Sequence, residues 1–186
     1  TGKTPTSIML NEILKKLNFT TCFIKKFYDN QKDEQLLLRK HGTVFCEKER
    51  ITSIRKALKN KRNIAILDDG LQDKSIDYDL KCVCFNIQKW VGNGFVIPAG
   101  PLRQSLDSLK NYQCIFLNGN GENTDKIKKI IKKKYKHIKV FESEYIMENI
   151  HKINKNKKYF VFSGIGNPTI FNDTLKKNNI KVIKSL

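Results

Sequence analysis

The feature that most constrains the fold is a short apolar run that ends in two carboxylates and a glycine. The run extends from Asn63 to Leu67, and Asp68-Asp69-Gly70 follows it directly. A β-branched apolar run bounded by polar residues predicts a strand buried on both faces of a parallel sheet. Acids at the carboxyl end of such a strand lie where open α/β folds bind ligands. Taken alone, the two aspartates fit a strand-ending turn better than a ligand site.

A second motif, at the start of the sequence, favours the ligand-binding interpretation. Thr1-Gly2-Lys3-Thr4-Pro5 matches the second half of a phosphate-binding loop. A helix with an apolar face and then a strand follow it, in the order that a phosphate-loop unit requires. The residues of the predicted apolar face are Leu10, Ile13, Leu14 and Leu17, and the predicted strand runs from Thr20 to Lys25.

These two motifs together predict a site for a nucleoside triphosphate and Mg²⁺. Residues 1–5 would bind the nucleotide, because backbone N–H groups at a helix start face phosphate oxygens. Lys3 would reach the β and γ oxygens, and the Thr4 hydroxyl would be a ligand of Mg²⁺. Asp68 or Asp69 would hold the same ion, and the spacing does not choose between them.

Charge and composition narrow the class of protein. Lys and Arg number 36 against 18 Asp and Glu, which gives a net charge of +18 that would attract nucleic acid, anionic lipid or phosphorylated ligands. The densest run, Lys126 to Lys139, has apolar residues at helical spacing, so its lysines fit the solvated face of a helix. Because no nucleic-acid motif accompanies the charge, no nucleic-acid partner is expected. The five cysteines form no Cys-x-x-Cys motif and are expected to be reduced.

The order of predicted elements defines an α/β fold. We expect a three-layer core like that of P-loop NTPases, with a mostly parallel sheet, over residues 1–150. Residues 149–158, rich in Lys and Asn, are the best linker candidate, and residues 157–186 would begin a smaller second α/β lobe. Both ends are expected to be cut, because the strand that should precede a phosphate loop is missing and the last strand has nothing beyond it.

Two further segments are candidates for function. Asp33 begins a predicted helix, and from spacing alone a helix cap is the better interpretation. The stretch from Trp90 to Arg103 contains two prolines and three glycines among large apolar residues. A long apolar loop in a small domain is usually functional. Arg103 could meet an anionic ligand or lie on the surface, and the sequence favours neither.

Five separated segments resemble one enzyme family, the tetraacyldisaccharide 4'-kinases, in the order that this family has them. They are residues 1–5, Asp33-Glu34 with the following leucines, Leu67 to Gln72, Gly92 to Arg103, and Gly164-Ile165-Gly166-Asn167-Pro168 with Phe171, Thr174 and Leu175.

The resemblance implies MgATP-dependent transfer of the γ-phosphate to the 4'-hydroxyl of a tetraacylated glucosamine disaccharide 1-phosphate in lipid A biosynthesis. Asp33 matches the catalytic carboxylate of the family, with Lys3 beside the transferred phosphate. Asp68, Asp69 and Gln72 match the metal-binding region. The loop would form a wall of the lipid-sugar site; its candidate substrate residues are Asn93, Pro98, Gly100 and Arg103.

The resemblance also implies a location. The protein would act at the cytoplasmic face of the inner membrane, peripherally or through an amino-terminal anchor outside this chain. The basic charge would suit an anionic membrane surface.

Some positions depart from the family pattern. Asp73 stands where histidine is usual, and Gln35 and Gln104 replace a proline or alanine and a glutamate. An Asp-His-His segment of the family is expected just beyond Leu186, so we predict little kinase activity for these 186 residues alone.

Two other functions are compatible with parts of the sequence. A P-loop ATPase or GTPase acting as an accessory switch on a protein or nucleic acid would keep Lys3, Thr4 and Asp68. It would have no use for Asp33 or the proline-glycine loop. A basic binding module with a vestigial nucleotide site is favoured by charge alone.

Overall fold

The computed structural model describes residues 2–28, 32–119, 123–144, 146–147, 149–164 and 168–185. Within these ranges the helices are α1 (Lys3–Lys16), α2 (Lys32–His41), α3 (Arg50–Lys59), α4 (Thr124–Lys134) and α5 (Pro168–Lys177). The strands are β1 (Thr21–Lys26), β2 (Val44–Glu47), β3 (Ile64–Leu67), β4 (Cys82–Asn86), β5 (Cys114–Asn118), β6 (Lys139–Ser143), β7 (Lys158–Val161) and β8 (Lys181–Ser185). Two 3₁₀ helices are Leu106–Asn111 and Ile150–Lys152.

Every strand pair in the described residues is parallel, which confirms the predicted α/β class. The strands form three sheets, ordered β2-β1-β3, β4-β5-β6 and β7-β8, where one mostly parallel sheet was expected. In the first sheet, β1 lies between β2 and β3, and Ile24 is in register with Leu67. The parallel register brings the carboxyl ends of β1 and β3 to one edge, where the candidate site residues follow them.

The second sheet carries the best-packed part of the core. All five residues of β5 are buried, and α4 covers the sheet with Ile127 and Ile131. Ile130, between these two residues in the sequence, is 51% exposed. The helical interpretation of the lysine run is confirmed from Lys126 to Lys134, whereas Lys139 begins β6.

The first sheet is less covered than the sequence suggested. Strand β3 was expected to be buried on both faces, but Ala65 is exposed and its neighbours are only half-buried. Helix α1 likewise buries Thr6, Ser7 and Asn11 and leaves its predicted apolar face partly exposed. The reason is a cavity of about 1830 Å³ that β3, β4 and the apolar face of α1 all line.

One cysteine prediction is wrong. Cys82 and Cys114 are in register on β4 and β5, with Cα atoms 4.8 Å apart, and form a disulfide. Cys22, Cys46 and Cys84 are free thiols. The sequence did not reveal this pairing because the two residues are 32 positions apart and meet only through strand register.

The carboxyl-terminal segment forms a β-α-β unit of its own. Strands β7 and β8 pair with each other, and α5 connects them. Residues 165–167 of the family-like glycine motif lie outside the described residues. The division into a core and a second lobe stays a prediction. None of the described helices is both long and apolar enough to cross a membrane.

Candidate active site

The amino terminus of α1 is open toward the carboxyl edge of the first sheet. Gly2 precedes the helix with a φ of 78°, in the left-handed region that glycine adopts readily. Its carbonyl accepts hydrogen bonds from both the backbone N–H and the hydroxyl of Thr6. Pro5 lies in the first turn, where a missing N–H costs little, and Thr1 lies outside the described residues. No acid occupies this turn, so its backbone N–H groups remain suited to an anion.

Asp68 is buried against α1 directly after β3. Its side chain accepts hydrogen bonds from the Thr4 hydroxyl at 3.1 Å and from the Ser7 hydroxyl at 3.3 Å. Thr4 and Ser7 are three residues apart and therefore share one face of the helix. Lys25 Nζ donates to the same carboxylate at 3.1 Å, and Asp68 is only 2% exposed. The structure thus brings Thr4 and Asp68 together.

Asp69 pairs with cations other than the one that contacts Asp68, namely Lys3 and Arg103. Its φ of 56° turns the chain so that its carboxylate meets Lys3 Nζ at 3.3 Å. Arg103 Nη1 donates to both carboxylate oxygens, at 2.8 and 3.1 Å, and to Gln72 Oε1 at 3.3 Å. Burial by itself raises the pKa of Asp69, but the hydrogen bond from Arg103 and the charges of Lys3 and Arg103 outweigh it and hold the pKa below its usual value.

Arg50, at the start of α3, fixes the turn that carries these acids. It donates to the Asp69 carbonyl at 2.9 Å and to the Asp73 carboxylate at 3.2 Å. The Tyr78 hydroxyl donates to the Gly70 carbonyl at 2.7 Å. At Gly70 an added Cβ would lie 2.8 Å from Leu67 Cβ, so the close turn requires glycine. Asp73, which stands where the family usually has histidine, forms an ion pair with Arg50.

Asp33 lies in the first turn of α2 and is exposed. No hydrogen bond or ion pair joins its side chain to another described residue. Its neighbour Glu34 forms an ion pair with Lys25, which in turn contacts Asp68. Lys25 therefore links the carboxylates of Glu34 on α2 and of Asp68, which follows β3, at one edge of the sheet.

The proline-glycine loop brings one of its four candidate residues to the acids, Arg103. Asn93 stays within the loop, where its side chain donates to the Ala99 carbonyl at 2.8 Å and accepts from the Phe95 N–H. Gly100 allows the loop to close, because an added Cβ would lie 2.2 Å from Asn93 Oδ1. Pro98 follows a cis peptide bond and is exposed.

Four polar residues of this site were not singled out from the sequence: Ser7, Lys25, Glu34 and Arg50. The spacing of Ser7 from Thr4 was a usable signal, since both hydroxyls fall on one helical face. Glu34 adjoins Asp33, so attention to the pair would have included it. Lys25 and Arg50 gave no local signal, because only the pairing of strands and the packing of α3 bring them to the turn.

The fold and the site define the class of protein. A helix start with Gly-Lys-Thr, facing paired aspartates at the carboxyl edge of a parallel sheet, is typical of P-loop proteins that bind nucleoside triphosphates.

Comparison with known proteins identifies the family. The whole chain, residues 1–186, matches the family described as Tetraacyldisaccharide-1-P 4'-kinase, and the chain belongs to this family. A tetraacyldisaccharide 4'-kinase of Pelagibacter ubique is 48% identical over 186 residues, covering 100% of this chain. Proteins of the same name from Rickettsia bellii and Rickettsia akari are 33% and 34% identical, each covering 98% of this chain. No solved structure matches the chain.

The chain spans only part of these relatives. It covers 59% of the Pelagibacter protein and 60% of the Rickettsia bellii protein. The resemblance inferred from the five sequence segments is confirmed.

Proposed function

We propose that the full-length protein transfers the γ-phosphate of ATP to the 4'-hydroxyl of a tetraacylated glucosamine disaccharide 1-phosphate, a step of lipid A biosynthesis. The observation that carries the proposal is the convergence of Lys3, Thr4, Asp68 and Asp69 at the start of α1, in a chain of this family. The family match gives no support to the alternative of an accessory ATPase or GTPase switch.

In the proposed reaction, the start of α1 binds the triphosphate of ATP. Residues 1–5 supply backbone N–H groups, and Lys3 exchanges its contact with Asp69 for the β and γ oxygens. Arg103, which shares Asp69 with Lys3, is placed to meet an anionic group of either substrate. Asn93, Pro98 and Gly100 shape the loop that presents Arg103 and form one wall of the lipid-sugar site.

The residues near Thr4 fit Mg²⁺. Mg²⁺ prefers oxygen ligands and usually binds one or two carboxylates together with phosphates and water. Thr4 and Asp68, 3.1 Å apart, offer a hydroxyl and a carboxylate, while the Asp69 carboxylate and the Gln72 amide oxygen both contact Arg103 and would have to turn toward the ion. The described residues contain no cluster of three or more His, Cys, Asp or Glu that could hold a metal ion, so the phosphates and water would supply most of the ligands. When bound with ATP, the ion would neutralise charge on the phosphates.

Asp33 is the proposed catalytic carboxylate. It is exposed at the carboxyl edge of the sheet, where it could accept the proton of the attacking 4'-hydroxyl. The hydroxyl oxygen then bonds to the γ-phosphorus as the bond to the leaving ADP oxygen breaks. Orientation of the hydroxyl is the larger part of this role, because phosphoryl transfer depends mainly on positioning.

The proposed partners are the acylated disaccharide and an anionic membrane surface, with no nucleic acid. The net charge of +18 suits such a surface. We propose that the protein acts at the cytoplasmic face of the inner membrane, peripherally or through a segment outside this chain.

The test is transfer by the full-length protein, with MgATP and the disaccharide lipid in mixed micelles. We expect a 4'-phosphorylated product, and a rate about 10²–10⁴ lower for Asp33→Ala. Asp125→Asn, at an exposed position at the start of α4 and outside the proposed site, is the control and should transfer normally. No product, or undiminished transfer by Asp33→Ala, would refute the assignment. Hydrolysis stimulated by a protein or nucleic acid but not by lipid would favour the switch.

A further inference from the structure

Lys25 is a buried charged residue that the proposed reaction does not use. It lies near the end of β1 and is 3% exposed, although lysine is rarely buried without partners. Its ammonium contacts two carboxylates: that of Asp68, directly after β3, at 3.1 Å, and that of Glu34 on α2. Burial lowers the pKa of Lys25, but the hydrogen bonds and charges of Glu34 and Asp68 outweigh it and raise the pKa above its usual value.

Strand register sets the contact between Lys25 and Asp68. Ile24 pairs with Leu67, so the residues that follow them, Lys25 and Asp68, are also neighbours across the two parallel strands. The Asp68 N–H donates to the Ile24 carbonyl at 3.2 Å and continues the ladder by one residue. The contact thus depends on the sheet and not on a flexible surface pair.

The two carboxylates of the acid turn have separate cations. Among the described residues, Lys25 is the one basic side chain that forms an ion pair with Asp68, whereas Lys3 and Arg103 pair with Asp69. A buried carboxylate is costly without a partner, so Lys25 compensates Asp68, and Lys3 pairs with Asp69 instead.

The second contact of Lys25 reaches the helix that carries Asp33. Glu34 lies in the first turn of α2, one residue after Asp33, and its side chain is half-exposed. The contacts of Lys25 with Glu34 and Asp68 therefore link the start of α2 to the residue that follows β3. Asp68 in turn accepts a hydrogen bond from Thr4 on α1.

We propose that Lys25 is a positioning residue that sets Asp33 relative to the nucleotide site. It is too buried to touch a substrate, so it acts through the two carboxylates it holds. The inference rests on the proposed kinase function, since it assigns Asp33 the catalytic role. A change at Lys25 should then slow the transfer step more than it weakens the binding of ATP, because Lys3 contacts neither Lys25 nor Asp68 and pairs with Asp69.

The experiment compares steady-state kinetics of full-length variants with MgATP and the disaccharide lipid. We expect Lys25→Met to lower kcat by roughly 10- to 100-fold, because small misplacements of a catalytic group have effects of this size. The KM for ATP should change by less than about threefold, since binding groups are retained. Lys25→Arg, which keeps the charge, should recover part of the lost kcat. Lys56→Met, at an exposed lysine paired with Glu47, is the matched control and should differ from wild type by less than about twofold.

A double-mutant comparison separates positioning from general stability. In an Asp33→Asn background, Lys25→Met should have a much smaller effect on kcat than in the wild type, because Lys25 acts through Asp33. An equal effect in both backgrounds, or an unchanged kcat per folded molecule of Lys25→Met, would overturn the proposal.

If Lys25→Met does not fold, Glu34→Gln replaces it, because Glu34 is half-exposed and the buried contact of Lys25 with Asp68 remains. Its kcat should fall several-fold, and an unchanged kcat would overturn the proposal.

Hydrogen exchange distinguishes this inference from the kinase assignment. Lys25→Met or Glu34→Gln should speed exchange of the α2 amides relative to Lys56→Met, whichever reaction the protein catalyses. Wild-type protein that transfers no phosphate to the disaccharide would refute the function alone. Unchanged exchange in α2 would refute the Lys25 link alone.

Discussion

At the scale of single residues, two consecutive aspartates lie in different electrostatic environments. Asp68 is buried and accepts hydrogen bonds from Thr4, Ser7 and Lys25. Asp69 is 39% exposed at its side chain and pairs with Lys3 and Arg103. The positive φ of Asp69 separates the two side chains, so that a single turn supplies carboxylates to both α1 and the proline-glycine loop.

Replacing Asp68 by alanine should destabilise the protein. The substitution leaves Lys25 buried without its better-buried partner, and removing one member of a buried ion pair costs about 3 kcal/mol. Urea unfolding of the full-length variant would measure the loss. Asp79→Ala, at an exposed position, is the control and should lie within about 0.5 kcal/mol of wild type. A loss at Asp68 no larger than that of the control would contradict the buried pair.

At the scale of elements, the segment from Gly92 to Arg103 is a loop held in shape by its own backbone hydrogen bonds. The Ile97 N–H donates to the Leu102 carbonyl at 2.8 Å, and the Gly100 N–H donates to the Val96 carbonyl at 3.1 Å. These contacts close the loop on itself, so that Arg103 leaves it at a defined point and reaches Asp69. The tip exposes Phe95 and Ile97, at 63% and 62% of their surfaces.

Gly100→Ala should disrupt this loop and the placement of Arg103. An added Cβ would lie 2.4 Å from the Phe95 carbonyl oxygen, so the backbone must shift. We expect a raised KM for the disaccharide in the transfer assay. Gly94→Ala is the matched variant, because nothing lies within 4 Å of its added Cβ. Its positive φ costs only about 1 kcal/mol, so an effect of Gly94→Ala as large as that of Gly100→Ala would show that space at residue 100 is unimportant.

An exposed ion pair joins the 3₁₀ helix Leu106–Asn111 to α4. It should make a small contribution to the stability of the fold that depends on pH. Asp107 accepts a hydrogen bond from Lys134 at 2.6 Å, and this contact lowers the pKa of Asp107. Because the folded-state pKa is below the usual value, the stabilisation is present above the usual aspartate pKa and is lost as pH falls through the lowered one.

The melting temperatures of wild type and Asp107→Asn, compared from about pH 7 to about pH 3, should therefore converge as the solution becomes acidic. A difference in melting temperature that grows toward acid pH would contradict the contact. Lys134→Gln should behave in the same way as Asp107→Asn.

At the scale of the whole molecule, β3 at the edge of the first sheet and β4 at the edge of the second both border the large cavity, a position that a further strand could occupy. In the described part of the chain no strand pairs with the second edge of β3 or of β4, and both strands line the large cavity. Unpaired strand edges attract a further strand, and the apolar face of α1 borders the same space. We propose that a parallel strand outside residues 1–186 fills this position and joins the two sheets.

Hydrogen exchange of the full-length protein tests this proposal. The amides of β3 and β4 should be protected about as well as those of β5, the buried central strand of its sheet. Exchange of both strands as fast as that of the loops would show that the position stays open.

The sequence by itself determined the elements and the family. Helix α1, strand β1 and the lysine-rich α4 follow from local periodicity, which depends only on neighbouring residues. The Gly-Lys-Thr motif and the paired aspartates identified the phosphate site, because close-range backbone geometry requires those residues at those spacings.

Only the tertiary structure decided how the acids divide their partners. The contacts of Asp68 with Lys25, of Asp69 with Arg103, and of Cys82 with Cys114 join positions 32 to 43 residues apart. Such contacts depend on strand register and on the path of long loops. Periodicity within one segment carries no information about strand register or loop path. For this reason neither the contacts of Lys25 nor the half-buried state of β3 could be predicted from the sequence.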